Sequence, residues 1–295
     1  MPSVALSGRR VGRRRNLYSL LAGPLLLLSV FLVFPILGLF RSSFFEGSGP
    51  LGAGFTLGQY GKFLTDGYYL SVLAETIGFG LASALVSLLV GYPVGYSLAR
   101  LPPEKRKWRL IAVILPLTLS LVVVVFGWLV VLGRNGLLNA ILMGLGLVDH
   151  PQRLLFNRVA VLLVLVQQFL PFMILSVMSV VTQINPVLEQ AAANLRADRY
   201  TTFRKVILPL SMPGILSGLT LVFILSVSAF ITPRLIGGAR IQMIGSLIYE
   251  QVLSILNWPF AAAMSFILLI LTLAVTVGAN TLLAIRLNSK GEHAH

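Results

Sequence analysis

The sequence predicts an all-α membrane protein built from six transmembrane helices. Two features of composition and one of pattern carry that reading. Hydrophobic residues make up 57% of the chain and charged residues only 11%, against roughly 25% charged in a soluble domain, and the mean hydropathy is +0.90. Apolar runs long enough to cross about 30 Å of hydrocarbon, roughly 20 residues each, recur six times. Basic residues then sort by loop parity, as the positive-inside rule requires of a multi-span chain.

The elements follow in order. Residues 1–16 form a basic N-terminus carrying Arg9, Arg10, Arg13, Arg14 and Arg15. The apolar stretch 17–40 behind it is too long for the roughly 7–15 residues of a signal-peptide core, and no small-residue cleavage site closes it. It reads as the first span, and the Arg9-Arg10 pair as a retained cytoplasmic anchor rather than a twin-arginine export signal. Further spans are expected at 74–99, 110–132, 159–181, 213–231 and 260–285, with a tail at 286–295. Arg100, Lys105, Arg106, Lys107 and Arg109 fall on the same side as the N-terminus, as do Arg196, Arg199, Arg204, Lys205, Arg286 and Lys290. Arg41, Lys62, Arg134, Arg153, Arg158, Arg234 and Arg240 fall opposite, spread over longer loops. Both termini are therefore expected in the cytoplasm. The formal charge of +14 marks topology and affinity for anionic lipid head groups rather than for nucleic acid.

Enzyme chemistry finds little to stand on. The chain has no cysteine, which removes disulfides, thiolate metal sites and cysteine nucleophiles. His150 lies in an outer loop and His293 and His295 in the tail, none at metal-ligand spacing on a helix. No Gly-Lys-Ser/Thr follows the glycines at Gly237-Gly238, so no phosphate-cradling loop is present. The nine acids form no obvious intramembrane pair. A transporter without a nucleotide site of its own draws energy from an ion gradient or from a separate ATPase. An ion-coupled carrier would be expected to show inverted repeats and charged or broken midplane helices, and neither is found.

One polar segment stands apart. Asn185 can cap a helix that starts at Pro186, where no amide partner is needed, and Glu189 near the start suits the helix dipole. Leu188, Ala191, Ala192 and Leu195 then fall on one face at helical spacing. A second short helix can start with Asp198 as its cap and present Tyr200, Phe203 and Ile207. Two short amphipathic helices at an angle make a knob for a soluble partner. An interfacial helix lying on lipid is the alternative, and Arg199, Arg204 and Lys205 would suit it.

Within the membrane, Gln167 and Gln168 are polar in an apolar run, which is costly unless they face a bundle or a water-filled cavity. Ser226, Ser228, Phe230 and Thr232 lead into Pro233, which can break the fifth helix where a passage opens. The candidate solute path is therefore Gln167, Ser226, Phe230 and Thr232. Interhelical packing by small and polar residues is the competing explanation. Glu75, near the outer end of the second span, either snorkels or meets a cation.

The segment 188–209 resembles the cytoplasmic coupling loop of the permease subunits of ATP-binding-cassette importers. That family's signature is Glu-Ala-Ala, three residues, Gly, nine residues, then Ile-x-Leu-Pro. Its register puts Gln190, Ala191 and Ala192 at the Glu-Ala-Ala positions, Arg196 at the glycine, Val206 at the isoleucine, and Leu208 and Pro209 at Leu-Pro. Gln190 replaces the family's glutamate, with Glu189 adjoining it, and Arg196 replaces the glycine. A glycine there would adopt a left-handed turn cheaply, so Arg196 implies either ordinary backbone angles or local strain. Asn135-Gly136-Leu137-Leu138-Asn139, Leu170-Pro171-Phe172-Met173, the run 229–238 and the run 257–263 are similar to the spermidine/putrescine-type subfamily.

The resemblance implies a type I ABC importer permease fold, with residues 17–285 as the permease domain and a coupling loop at about 182–209. Glu189, Gln190, Ala191, Ala192, Leu195, Arg196, Ala197, Phe203 and Pro209 would couple it to an ATPase. It implies a bacterial inner-membrane location, two ATPase subunits that hold ATP and Mg, a second and homologous permease chain, and an extracytoplasmic solute-binding protein. No cofactor is expected on this chain. Polyamines come first as solute, with opines, aminophosphonates or other small polar solutes open. A dication favours acidic or aromatic lining, yet Glu46, Asp66, Glu75, Asp149 and Glu250 are scattered among a similar number of basic residues.

Overall fold

The computed structural model describes residues 23, 24, 26–46 and 53–292; the basic segment 1–16 and the two tail histidines lie outside them. An apolar helix α1 (Leu26–Ser42) comes first. A small antiparallel hairpin follows, Phe45–Glu46 (β1) against Ala53–Phe55 (β2), with Phe45 opposite Phe55. Helix α2 (Gly58–Thr65) leads into α3 (Gly67–Ala99), whose cap Asp66 accepts the Tyr68 N–H at 2.9 Å. At 33 residues and 1.5 Å per residue, α3 is about 50 Å long and outreaches a hydrocarbon layer of about 30 Å. Its last turns, with Tyr92, Tyr96 and the following Arg100, can therefore project beyond the apolar zone.

Next come α4 (Pro103–Thr118), α5 (Leu121–Leu132) and α6 (Leu137–Gly144). Helix α7 (Arg158–Gln183) starts where Asn157 accepts the Ala160 N–H at 2.8 Å. Two short helices, α8 (Val187–Asn194) and α9 (Arg199–Thr202), and a π turn at Phe203–Ile207 lead into α10 (Leu208–Val227). A π turn at Pro233–Gly237 and helix α11 (Ile244–Leu253) precede the last helix, α12 (Trp258–Glu292).

Among the described residues, five helical stretches are long and apolar enough to cross a membrane, and Leu26–Ser42 is a shorter apolar helix. Several expected boundaries shift. The described part of the first span ends at Ser42 rather than 40. The span expected at 110–132 is two helices, α4 and α5, parted where Leu119 and Ser120 turn extended (ψ 146° and 133°). Pro116, two residues inside the end of α4, removes a backbone donor and weakens that turn. Helix α5 alone has 12 residues, about 18 Å, too short to cross without α4. The apolar stretch Leu121–Gly144 is itself interrupted by a turn between Leu132 and Leu137. The fifth span starts earlier, at Leu208, and ends at Val227, so the helix stops before Pro233, which instead opens a π turn. The final helix continues to Glu292 through most of the segment expected as a tail.

The core is the mutual packing of α3, α7 and α10. Helices α3 and α10 carry glycines where they cross the backbone of α7. A Cβ at Gly95 of α3 would lie 2.8 Å from the Ile174 carbonyl oxygen of α7, and one at Gly214 of α10 would lie 2.9 Å from that of Ser176. Small residues at such crossings are how helices associate in lipid, where apolar burial alone gives no drive. The hydroxyls of Tyr92 and Ser211 meet at 2.9 Å in this interior. Large apolar side chains point outward, among them Leu85, Leu89, Val130 and Ile270, a surface that matches lipid rather than water. Helix α12 packs against α1, with Phe40 and Phe266 edge to face at 5.1 Å, and α3 reaches α12 through Tyr69 and Phe260 at 5.0 Å.

Gly95→Leu should therefore push α3 off α7 and lower stability by roughly 1–3 kcal/mol, read as a reduced unfolding midpoint in detergent. Gly127→Ala, where an added Cβ meets nothing, should be neutral or slightly stabilising. Equal midpoints for Gly95→Leu and wild type would contradict the packing.

Candidate functional site

Residues 185–209 build a knob at the end of the bundle where α7 stops and α10 begins. Pro186 opens it with helical angles (φ −58°, ψ −22°), and the Asn185 side chain accepts the Val187 N–H at 3.0 Å. Helix α8 closes in a Schellman turn: the Ala197 N–H donates to the Ala192 carbonyl at 3.0 Å and the Arg196 N–H to that of Ala193 at 2.9 Å. Arg196 sits at the left-handed position of that turn, with φ +58°. A turn that glycine would make cheaply is made here by an arginine, at the expense of backbone strain of about 1–3 kcal/mol. Asp198 then caps α9 by accepting the Thr201 N–H at 3.2 Å. Hydrogen bonding from the Thr201 side chain, and less from its backbone N–H, holds the Asp198 carboxyl below its ordinary value. The cap is complete above the ordinary carboxylate pKa and is lost as pH falls through the lowered one.

Three side chains bolt the knob to the bundle. Glu189 points inward: its Oε1 pairs with Arg100 Nη2 at 2.5 Å and its Oε2 accepts from the Tyr96 hydroxyl at 3.1 Å. Arg100, just beyond the end of α3, also donates through Nη1 to the carbonyls of Val181 (3.3 Å) and Ile184 (3.0 Å), which end α7. One guanidinium thus joins the ends of α3 and α7 to α8. With side chains 20% and 29% exposed, the pair is partly shielded from water, and each hydrogen bond to a charged group is worth roughly 1.5–3 kcal/mol. Phe203 packs edge-on against Tyr92 at 5.6 Å and carries the second half of the knob onto α3.

The remaining expected coupling residues sort by face. Gln190, Ala191, Leu195 and Arg196 are exposed, beside Val187, Leu188 and Tyr200. Ala192 and Ala197 are half-buried, and Pro209 is exposed in the first turn of α10. Under the knob lies a cleft of about 460 Å³ lined by Tyr96, Glu189, Ala193, Ala197 and Phe203 among others. Sequence reading missed Arg100 and Tyr96. Arg100 counted only toward charge sidedness, and its position directly after the apolar run was the one available signal.

The candidate path residues come together only in part. Gln168 Oε1 accepts from the Thr232 hydroxyl at 3.0 Å, and Gln167 Oε1 accepts from Trp128 Nε1 at 3.0 Å. Both glutamines line a cavity of about 150 Å³ beside the α4–α5 break. Each amide oxygen keeps a second lone pair. Phe230 stacks on Tyr249 at 5.3 Å, with the Arg234 guanidinium 4.7 Å from the centre of the Tyr249 ring. Ser226 is fully buried and its hydroxyl has no hydrogen-bond partner among the described residues. Glu75 is paired with Arg158 at 2.7 Å.

Because Arg196 is held left-handed, Arg196→Gly should raise the unfolding midpoint by about 1 kcal/mol equivalent, and Arg196→Val should lower it. A destabilised Gly variant would contradict the Schellman geometry.

Comparison with known proteins bears on the whole chain. The family model described as the inner membrane component of binding-protein-dependent transport systems matches residues 91–287. The spermidine/putrescine transport system permease protein PotB of Escherichia coli K12 is 36% identical over 224 residues, 76% of this chain and 79% of that protein. A bacterial ABC transporter that imports the acidic polysaccharide alginate contains a chain that superposes with a TM-score of 0.75 at 20% identity, covering 93% of this chain and 96% of that one. The alginate transporter bound to an alginate-loaded periplasmic protein gives 0.75 at 19% identity, over 92% and 95%. This chain therefore belongs to the inner membrane component family of binding-protein-dependent transport systems.

Proposed function

We propose that this chain passes a polyamine of the spermidine or putrescine class across the bacterial inner membrane, driven by ATPase subunits that grip the knob at 182–209. The family is the permease of an ABC importer and not an enzyme. ATP and Mg belong to the partner ATPase subunits. The polyamine reading rests on the identity to permeases named for spermidine and putrescine. The six-span topology with both termini in the cytoplasm rests on the sidedness of basic residues. A second, homologous permease chain completes the core, and an extracytoplasmic protein delivers the solute.

The observation that supports coupling best is the knob's division of labour. Its solvent side carries an exposed apolar stripe (Leu188, Ala191, Leu195) beside the polar Gln190 and Arg196, suited to a groove in a partner. Its inner face carries Glu189, fixed to Arg100. A push on α8 is passed through that ion pair to the ends of α3 and α7, which pack along their length with α10. Closure of the ATPases would thus rock the three packed helices as a body and open the path to the opposite side.

In the path, the free lone pairs of Gln167 and Gln168 can accept from an ammonium group, and the Phe230–Tyr249 stack can cover a methylene chain. Ala192→Arg should abolish uptake and uncouple ATP hydrolysis while membrane insertion stays normal. In the reconstituted wild-type complex with its binding protein, spermidine or putrescine should stimulate hydrolysis. Normal uptake by Ala192→Arg would refute the coupling assignment, and a response only to an anionic solute would refute the cargo.

A further inference from the structure

At the end of the bundle opposite the knob, three separate segments converge on a cleft of about 590 Å³ that Arg134, Arg153 and Arg240 line and no carboxylate does. Of the seven basic residues expected on that side, four have partners within the chain. Arg158 pairs with Glu75, Arg41 lies against the Phe45 ring, Lys62 against Phe260 and Arg234 against Tyr249. The other three are exposed, and all three border this one cleft.

The frame that holds them is built. Asn139, fully buried, donates to the carbonyls of Gly133 (3.1 Å) and Gln152 (3.0 Å) and accepts the Gln152 N–H at 2.9 Å. It locks the turn bearing Arg134 to the loop bearing Arg153. The Phe156 N–H donates to the Ile236 carbonyl at 3.0 Å, which ties that loop to the turn bearing Arg240. Phe156 is left-handed at φ +59°. Gly238 has φ +62° and ψ −148°, a conformation open essentially to glycine alone, and a Cβ there would meet the Phe156 ring at 2.8 Å. The strained left-handed Phe156 and the glycine-only turn at Gly238 fix the backbone of the loops that carry Arg153 and Arg240.

From this geometry we infer that the cleft is a docking surface for an acidic patch on the extracytoplasmic solute-binding protein. The inference rests on the importer reading above, which puts this end of the bundle outside. Between the arginines the lining is apolar, with Leu132, Leu154, Leu155 and Phe156, so charges rim an apolar floor as in a protein interface. A small anion would instead call for polar groups converging on one point. A basic rim also repels a free polycation from the mouth, so a cationic solute enters only when a docked carrier covers the charges.

The test reconstitutes the full complex in nanodiscs and titrates it with its own solute-loaded binding protein, following stimulated ATP hydrolysis at several salt concentrations. Arg134→Glu, Arg153→Glu and Arg240→Glu combined should raise the half-saturating binding-protein concentration about tenfold or more and flatten its salt dependence. The milder triple Gln variant should give a smaller shift in the same direction, and the triple Lys variant should keep the wild-type salt dependence. Co-purification with the ATPase and second permease subunits controls for folding. An unchanged half-saturation in both the Glu and Gln variants would overturn the inference. So would loss of subunit assembly in the Gln variant, or a shift that follows the anionic lipid content of the nanodisc rather than the binding protein. A wild-type complex that its binding protein does not stimulate would instead refute the importer reading itself.

Discussion

The contact between Arg100 and Glu189 determines what the rest of the molecule can do. A charge at the end of α3 reaches two carbonyls at the end of α7 and the carboxylate of α8 together. Without it, α8 would be an amphipathic helix tethered only by its flanking turns and Phe203, free to tilt without moving the bundle. With it, α8 is joined to the ends of two membrane helices, so that in the proposed coupling a force on its exposed face would reach them. The carboxylate is the counter-charge for an arginine whose side chain is about four-fifths hidden from water, and removing one partner leaves the other partly desolvated and unpaired.

Beyond the clamp, transmission depends on stiffness. Glycines at positions 95 and 214 bring α3 and α10 against the α7 backbone at distances that admit no side chain. Contacts so close leave little room for the helices to slide independently. The compliant places lie elsewhere: the extended pair Leu119–Ser120 between α4 and α5, and the end of α10 ahead of Pro233. Gln167, Gln168 and Thr232 sit beside these interruptions. The polar residues of the proposed path therefore border the joints of the scaffold, where a change in helix angle would alter their surroundings most.

Much of this was legible in the sequence, because lipid imposes long apolar runs and a sidedness of charge. The knob was legible from Asn185, Pro186, Glu189 and Asp198, whose cap chemistry is local. The left-handed turn at Arg196 was flagged by the register of the resembling loop, although the arginine itself argues against that conformation. What could not be read depended on distant pairing. Tyr96 meets Glu189 across 93 positions, and no local spacing announces it. The break at Leu119–Ser120 falls inside one apolar stretch, where hydropathy is blind to backbone angle and Pro116 was the only hint. Asn135 to Asn139 was noticed as a resemblance, and its physical reason, the buried Asn139 bonding to both Gly133 and Gln152, needed coordinates. The two-stranded hairpin near Phe45 is too short for a period to register.

The central claim, that α8 drives the bundle through one ion pair, is tested most directly by a double-mutant cycle on solute transported per ATP hydrolysed in the reconstituted complex. Arg100→Gln and Glu189→Gln should each lower that ratio. The double variant should be no worse than the poorer single, a coupling on the order of 1–3 kcal/mol when the ratios are converted to free energies. Strictly additive losses, or singles that transport as efficiently as wild type, would contradict the account.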